Sequence, residues 1–244
     1  MKHFHYAHRG LHDGSAGIPE NSLAAFRRAI EHGFGAELDV HLLADGSLAV
    51  FHDSDLKRMT GREGTLEELT AQRLSSYRLG GTEETIPQLR GVLELFEGTR
   101  LPLLVELKSY RGNHDALTAR AVEELDKYHV PYVMESFDPR CLLWLRRNRP
   151  EIVRGQLAQD FLRTPQSASG MGRAMDIILT SMALNAVTRP DFVAFNFDHR
   201  DACSLSCVKR LRSADIFYWT IRSRKDMETA GAEGAQIIFE GFIP

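Results

Sequence analysis

Short apolar runs alternate along the chain with longer stretches whose apolar residues recur every three or four positions. The short runs cover 4–8, 36–43, 48–52, 101–108, 131–136, 152–158, 192–197, 216–221 and 235–240. They are rich in β-branched and aromatic residues, and several are apolar throughout, as strands covered on both faces are. The stretches 22–32, 89–96, 117–125, 138–147, 200–211 and 222–230 have helical spacing. In the first of these Leu23, Phe26, Ala29 and Ile30 share a face, Asn21 or Ser22 can cap it, and Gly33 can end it. Asp138-Pro139 is a cap followed by a first-turn proline. The stretch 164–189 mixes Ser and Gly with apolar residues and reads as a loop and a helix. Alternating strands and helices imply a mostly parallel sheet, and the length suits a (β/α)8 barrel. Nine strand candidates exceed the eight a barrel needs. Ala44-Asp45-Gly46-Ser47 joins two of them, so they form a local hairpin or one of the nine is not a strand. No linker, repeat or charge block divides the chain, so 1–244 reads as one domain.

Composition narrows the classes. Lys and Arg number 30 against 33 Asp and Glu, which argues against a nucleic-acid-binding protein but leaves room for a local phosphate pocket. Three cysteines, Cys141, Cys203 and Cys207, cannot make a disulfide framework and fit a reducing compartment. No run reaches signal-peptide or membrane-helix length, so a cytoplasmic protein without membrane insertion is expected.

Polar residues costly in a core collect at the C-terminal ends of the apolar runs. They are His8-Arg9-Gly10, Glu37 and Asp39, His52-Asp53, Glu106 and Lys108, Glu135-Ser136, and Trp219-Thr220. In a parallel barrel these ends meet at the face where active sites sit. Glu37 and Asp39 are two apart, so both point to one side of a strand, as do Glu106 and Lys108. Neighbouring carboxylates repel, and a divalent cation removes that cost; oxygen donors suit Mg²⁺ or Ca²⁺. A two-residue Asp45-Gly46 turn pairs Leu43 with Leu48 and sets His52 opposite Asp39. An imidazole there is a candidate general acid or base.

Each feature has a plainer reading. His8-Arg9-Gly10 can be a strand end and a turn, Glu37 and Asp39 a solvated face, and His52-Asp53 a cap. Glu106 and Lys108 can be a structural ion pair, and Trp219 can be core. The remaining histidines, including His3, His5 and His41, read as structural or surface residues. Cys203 and Cys207 lack partners at zinc spacing, and Gly170-Met171-Gly172 lacks a nucleotide-binding pattern. The plain readings must all hold together, and that conjunction is what the clustering speaks against.

The chain resembles the glycerophosphodiester phosphodiesterase family. The resemblance runs through His8-Arg9-Gly10, Pro19-Glu20-Asn21-Ser22, Ala25-Phe26, Ala29 and Gly33. It continues in Glu37-Leu38-Asp39-Val40, Asp45-Gly46, His52-Asp53, Arg58, Thr60-Gly61, Gly64, Ile86-Pro87 and Leu93. Glu106-Leu107-Lys108, Ser136-Phe137 and Trp219-Thr220 follow in order. It implies a (β/α)8 TIM barrel of the PLC-like phosphodiesterase type. It implies hydrolysis of a small-molecule glycerophosphodiester to glycerol 3-phosphate and an alcohol, with one divalent cation, Mg²⁺ or Ca²⁺. By motif, Glu37, Asp39 and Glu106 are implied metal ligands, and Glu20 a ligand or a partner of one. His8 and His52 are the implied acid–base pair, Arg9 and Lys108 contact phosphate, and Trp219 flanks the substrate. The resemblance also implies that the glycerol 2-hydroxyl attacks first, giving a cyclic phosphate that water opens.

Three positions depart from the family pattern: Leu43 replaces a common Thr, Arg222 a common Asn, and Glu240 lies in a commonly Thr-Asp strand end. The segment 54–85 reads as a loop plus one or two helices, too short for an inserted domain, and implies an open pocket with little head-group selection. Two alternatives remain: a barrel cleaving lysophospholipids or other phosphodiesters, and a non-catalytic barrel binding a phosphorylated metabolite. Oligomeric state is not readable from the pattern.

Overall fold

The computed structural model describes residues 4–163, 172–211 and 214–244. The strands are β1 (Tyr6–Ala7), β2 (Gly35–Leu42), β3 (Leu48–Val50), β4 (Leu103–Leu107), β5 (Tyr132–Ser136), β6 (Arg154–Ala158), β7 (Phe192–Asn196), β8 (Asp215–Ile221) and β9 (Gln236–Phe239). Eight run parallel in the order β1-β2-β4-β5-β6-β7-β8-β9 and close through β9–β1 pairing, which is the expected barrel. The ninth, β3, pairs antiparallel with β2 beyond the two residues that β1 occupies.

The helices are α1 (Leu23–Glu31), α2 (Lys57–Thr60), α3 (Ala71–Leu74), α4 (Leu89–Phe96), α5 (His114–Leu125), α6 (Pro139–Asn148), α7 (Arg173–Ser181), α8 (Asn185–Thr188), α9 (Cys203–Leu211) and α10 (Arg224–Ala232). Ser22 caps α1 by accepting from Ala25 N–H at 3.1 Å, and Asp138 caps α6 ahead of Pro139. The stretch at 200 starts its helix only at Cys203, because a 3₁₀ turn, Phe197–His199, comes first. That at 222 starts at Arg224, because Ser223 is spent as the cap. Of the mixed stretch 164–189, α7 and α8 account for the later part; 164–171, Gly170 included, and His3 lie outside the described residues.

The hairpin corrects one expectation. Leu43 N–H donates to Ser47 O at 2.9 Å, and Gly46, at φ +80°, donates to Leu43 O at 3.0 Å. The loop therefore has three residues and closes on a left-handed glycine, not two as Asp-Gly suggests. Leu42 pairs with Leu48 and Val40 with Val50, one position from the expected register. Phe51, not His52, lies across from Asp39, donating its N–H to Asp39 O at 3.0 Å.

Among the described residues, three apolar clusters hold the fold. The largest lies between barrel and helices and includes Phe26, Val40, Leu93, Leu142 and Phe239. The barrel interior is filled by Tyr6, Leu104, Val133, Leu157, Phe192, Phe217 and Ile238. The third joins Phe51, Leu56, Leu66, Leu79 and Ile86, so the segment after β3 has its own small core. Each fully buried side chain of this size contributes about 2 kcal/mol. Among the described residues, no helix is long and apolar enough to cross a membrane.

Candidate active site

The barrel's register builds the site. Asp39 of β2 is level with Glu106 of β4, and Glu106 is level with Glu135 of β5. Glu37 lies two residues before Asp39, on the same side of β2 and level with Leu104 of the interior cluster. Glu37, Asp39 and Glu106 are 2%, 1% and 7% exposed, and each offers an oxygen within 4.8 Å of the other two. The Lys108 ammonium reaches Asp39 at 3.0 Å and Glu106 at 2.7 Å.

One ammonium does not neutralise this row. Burial, then Asp39 and Glu106 beside it, raise Glu37 well above the usual carboxylate range. Burial raises Glu106 to about 7, although Lys108 opposes it. Burial raises Glu135 too, and its Oε2 has no hydrogen-bond partner among the described residues. Burial also acts against Asp39 ionising, but Lys108, His52 and Arg9 outweigh it and hold that carboxyl below its usual range.

The loop after β1 closes over this row. Gly10, at φ +77°, lies so close to α1 that an added Cβ meets Ala25 backbone and side-chain carbons at 2.9 Å. This turn carries Arg9, at φ +54°, across the barrel mouth. Arg9 N–H donates to Glu37 Oε2 at 2.9 Å, and its guanidinium meets Glu20 at 2.9 Å and Asp39 at 3.5 Å. Asn21, also left-handed at φ +54° and buried, donates from Nδ2 to Asp39 Oδ2 at 2.8 Å.

Two histidines face this arrangement, each held through Nδ1. His8 is 2.6 Å from Glu240 Oε2, and its Nε2 is 4.0 Å from Glu37. His52 Nδ1 is 2.6 Å from Asp53 Oδ1. A carboxylate only accepts, so each Nδ1 carries the proton and each Nε2 keeps its lone pair. Burial lowers both imidazoles, His52 to about 4. Arg58 links Asp53 to both Glu20 oxygens. His41 is buried, pairs with Glu67 at 2.7 Å, and approaches the His52 carbonyl at 3.2 Å. Trp219, in the C-terminal half of β8, donates Nε1–H to Ala194 O at 3.0 Å and meets Phe137 edge-on at 5.7 Å.

The structure thus brings together His8, Arg9, Glu37, Asp39, His52, Glu106 and Lys108. Glu20 is near but outside the close carboxylate triad, both its oxygens being taken by Arg9 and Arg58. Trp219 packs at the edge of the barrel interior, beside Phe137. Sequence reasoning assigned no role to Asn21 beyond capping and none in the site to Asp53 or Glu135. It noted Glu240 only as a departure. The place of Glu135 at the C-terminal end of an apolar run was its signal; nothing local signals a contact between residues 232 apart, as His8 and Glu240 are.

The donor set fits a hard divalent cation. It is all oxygen, convergent and buried, and burial together with the neighbouring carboxylates drives Glu37 and Glu106 upward. The triad could therefore hold a metal ion.

Comparison with known proteins identifies the family. The model of the Glycerophosphoryl diester phosphodiesterase family matches residues 8–239. A glycerophosphodiester phosphodiesterase of Caldanaerobacter subterraneus subsp. tengcongensis is 30% identical, across 96% of this chain and 93% of that one. Another, of Bacillus altitudinis, is 31% identical across 66% of this chain and 68% of its own. A phosphodiesterase of Oleispira antarctica, solved in complex with the product sn-glycerol-3-phosphate, superposes with a TM-score of 0.79 at 25% identity, covering 97% of this chain and 92% of that one. With barrel and sequence in agreement over nearly its whole length, this chain belongs to the glycerophosphoryl diester phosphodiesterase family, a family of hydrolases.

Proposed function

We propose that this chain hydrolyses small glycerophosphodiesters to glycerol 3-phosphate and an alcohol. His8 and His52 are the acid–base pair, and Glu37, Asp39 and Glu106 hold one divalent cation, Mg²⁺ or Ca²⁺. The observation that carries the reading is the meeting, at one barrel mouth, of a buried carboxylate triad with two histidines backed by carboxylates at 2.6 Å. Family membership and the Oleispira antarctica product complex support the substrate class.

The glycerol 2-hydroxyl attacks phosphorus while one histidine Nε2 takes its proton. The bond from phosphorus to the alcohol oxygen breaks, and the other histidine, protonated, gives that oxygen its proton. The product is a cyclic phosphate. Water then attacks it, the histidines exchange roles, and glycerol 3-phosphate leaves. Arg9 and Lys108 place positive charge beside the non-bridging phosphate oxygens, and Trp219 flanks the substrate. A bound cation supplies Lewis-acid stabilisation of the same charge. Glu20 orients Arg9 and Arg58. The free cysteines, Cys141, Cys203 and Cys207, support a cytoplasmic setting.

The test compares glycerophosphocholine with lysophosphatidylcholine, with products identified by phosphorus NMR. Glycerol 3-phosphate from the first substrate is expected, with a transient cyclic phosphate. His8→Ala and His52→Ala should each lose about 10²- to 10⁴-fold in kcat without unfolding. A near-normal rate in His52→Ala contradicts the assigned pair, and faster turnover of lysophosphatidylcholine moves the substrate to lipids.

A further inference from the structure

The two strand-end departures from the family pattern, Arg222 after β8 and Glu240 after β9, meet in space. Arg222 Nε donates to Glu240 Oε1 at 2.8 Å, while Glu240 Oε2 accepts from His8 Nδ1 at 2.6 Å. One carboxylate thus spans a rim arginine, whose side chain is 58% exposed, and a histidine in the mouth. We propose that Glu240, clamped by Arg222, is the positioning residue that fixes the tautomer and orientation of His8.

Free imidazole places its proton mostly on Nε2, which blocks the nitrogen that faces the site. A carboxylate at Nδ1 reverses this, because it can only accept. Glu240 therefore puts the proton on Nδ1 and turns the Nε2 lone pair toward Glu37, 4.0 Å away. A lone glutamate at a strand end could swing to other partners. His12 Nε2 is one, 3.8 Å from the same oxygen. Arg222 occupies Oε1 and leaves Oε2 for His8. His52 obtains the same service from its neighbour Asp53, which Arg58 holds in turn. Each histidine is thus backed by an arginine-held carboxylate, one close in sequence and one assembled by barrel closure.

The inference rests on the role of His8 proposed above, and the test separates the two. Protein labelled with ¹⁵N-histidine is compared with Glu240→Ala, Glu240→Gln and Arg222→Ala by long-range proton–nitrogen correlation and by kinetics. Neutral His8 should carry its proton on Nδ1 in the wild type and mainly on Nε2 in Glu240→Ala. In that variant kcat should fall roughly 10²-fold, the lower part of what acid–base catalysis contributes, with KM within about threefold. Glu240→Gln, whose amide oxygen accepts the same bond, should recover most of the rate. Arg222→Ala should lose several-fold in kcat, and adding it to Glu240→Ala should cost nothing more, because Arg222 acts through Glu240. A retained Nδ1 proton in Glu240→Ala, or losses that add in full, overturns the proposal. If Glu240→Ala does not fold, Arg222→Ala decides the matter: an unchanged kcat overturns the clamp. An active His8→Ala overturns the functional reading instead, since the tautomer signal needs no turnover.

Discussion

Asn21 shows how much a single position can carry that its neighbours in sequence do not reveal. Its spacing marks it only as a possible helix cap, yet Ser22 takes that place and Asn21 turns inward to Asp39. It does so at φ +54°, a conformation that Asn and Gly adopt more readily than other residues. Asn21→Ala loses the hydrogen bond and keeps the backbone strain, so it should destabilise by about 1–3 kcal/mol. Asn21→Gly loses the same bond without the strain and should be the more stable of the two in denaturant unfolding. The reverse order contradicts this account of the position. Glu37, Asp39, Glu106 and Lys108 were legible in sequence because strand alternation alone puts each pair on one face. Glu240 was not, because its partner lies 232 residues away and only barrel closure joins them.

Among the elements, strands and helices were largely readable, since each of the nine runs has a strand within or beside it. Buried parallel strands need continuous apolar runs, and those are visible without any structure. Register was not readable. Asp-Gly suits a two-residue turn, but here Asp45 Oδ1 accepts from Ser47 N–H and Oδ2 from Ala71 N–H at the start of α3. The loop takes three residues, and the pairing shifts by one. His52 still reaches the mouth because the chain leaves β3 after Val50, with Asp53 and His41 holding it there. Two glycines separate the causes of strain. Gly46→Ala meets nothing within 4 Å and costs only the left-handed φ, about 1 kcal/mol. Gly10→Ala adds a clash with Ala25 at 2.9 Å, so a further 1–3 kcal/mol is expected, with activity falling as the Arg9 turn is displaced. Thermal unfolding of the two variants checks this, and equal losses contradict it.

Across the whole molecule, closing eight strands forces carboxylates from β2, β4 and β5 into one buried row. Without metal that row is under electrostatic strain. Glu37, Glu106 and Glu135 all hold protons above the ordinary value of 4.5, Glu106 to about 7. The folded chain then binds more protons than the unfolded one, so its stability falls as pH rises through that range. His52, lowered from 6.5 to about 4, and His8, lowered also, act in the opposite sense below 6.5. The clear window is therefore above pH 6.5. The Tm of EDTA-treated protein should drop between pH 6.5 and 8, and Mg²⁺ or Ca²⁺ should raise it more at pH 8 than at 6.5. A metal-free Tm that rises across this window contradicts the assignment of strain to the row.

Metal-dependent cleavage at this mouth is tested most directly by turnover of glycerophosphocholine, followed as glycerol 3-phosphate released. The purified protein is measured as isolated, after EDTA, and after Mg²⁺ or Ca²⁺ is returned. The account predicts turnover that EDTA abolishes and one of these ions restores. Turnover that survives complete metal removal, or no glycerol 3-phosphate from a folded protein with either ion, contradicts it.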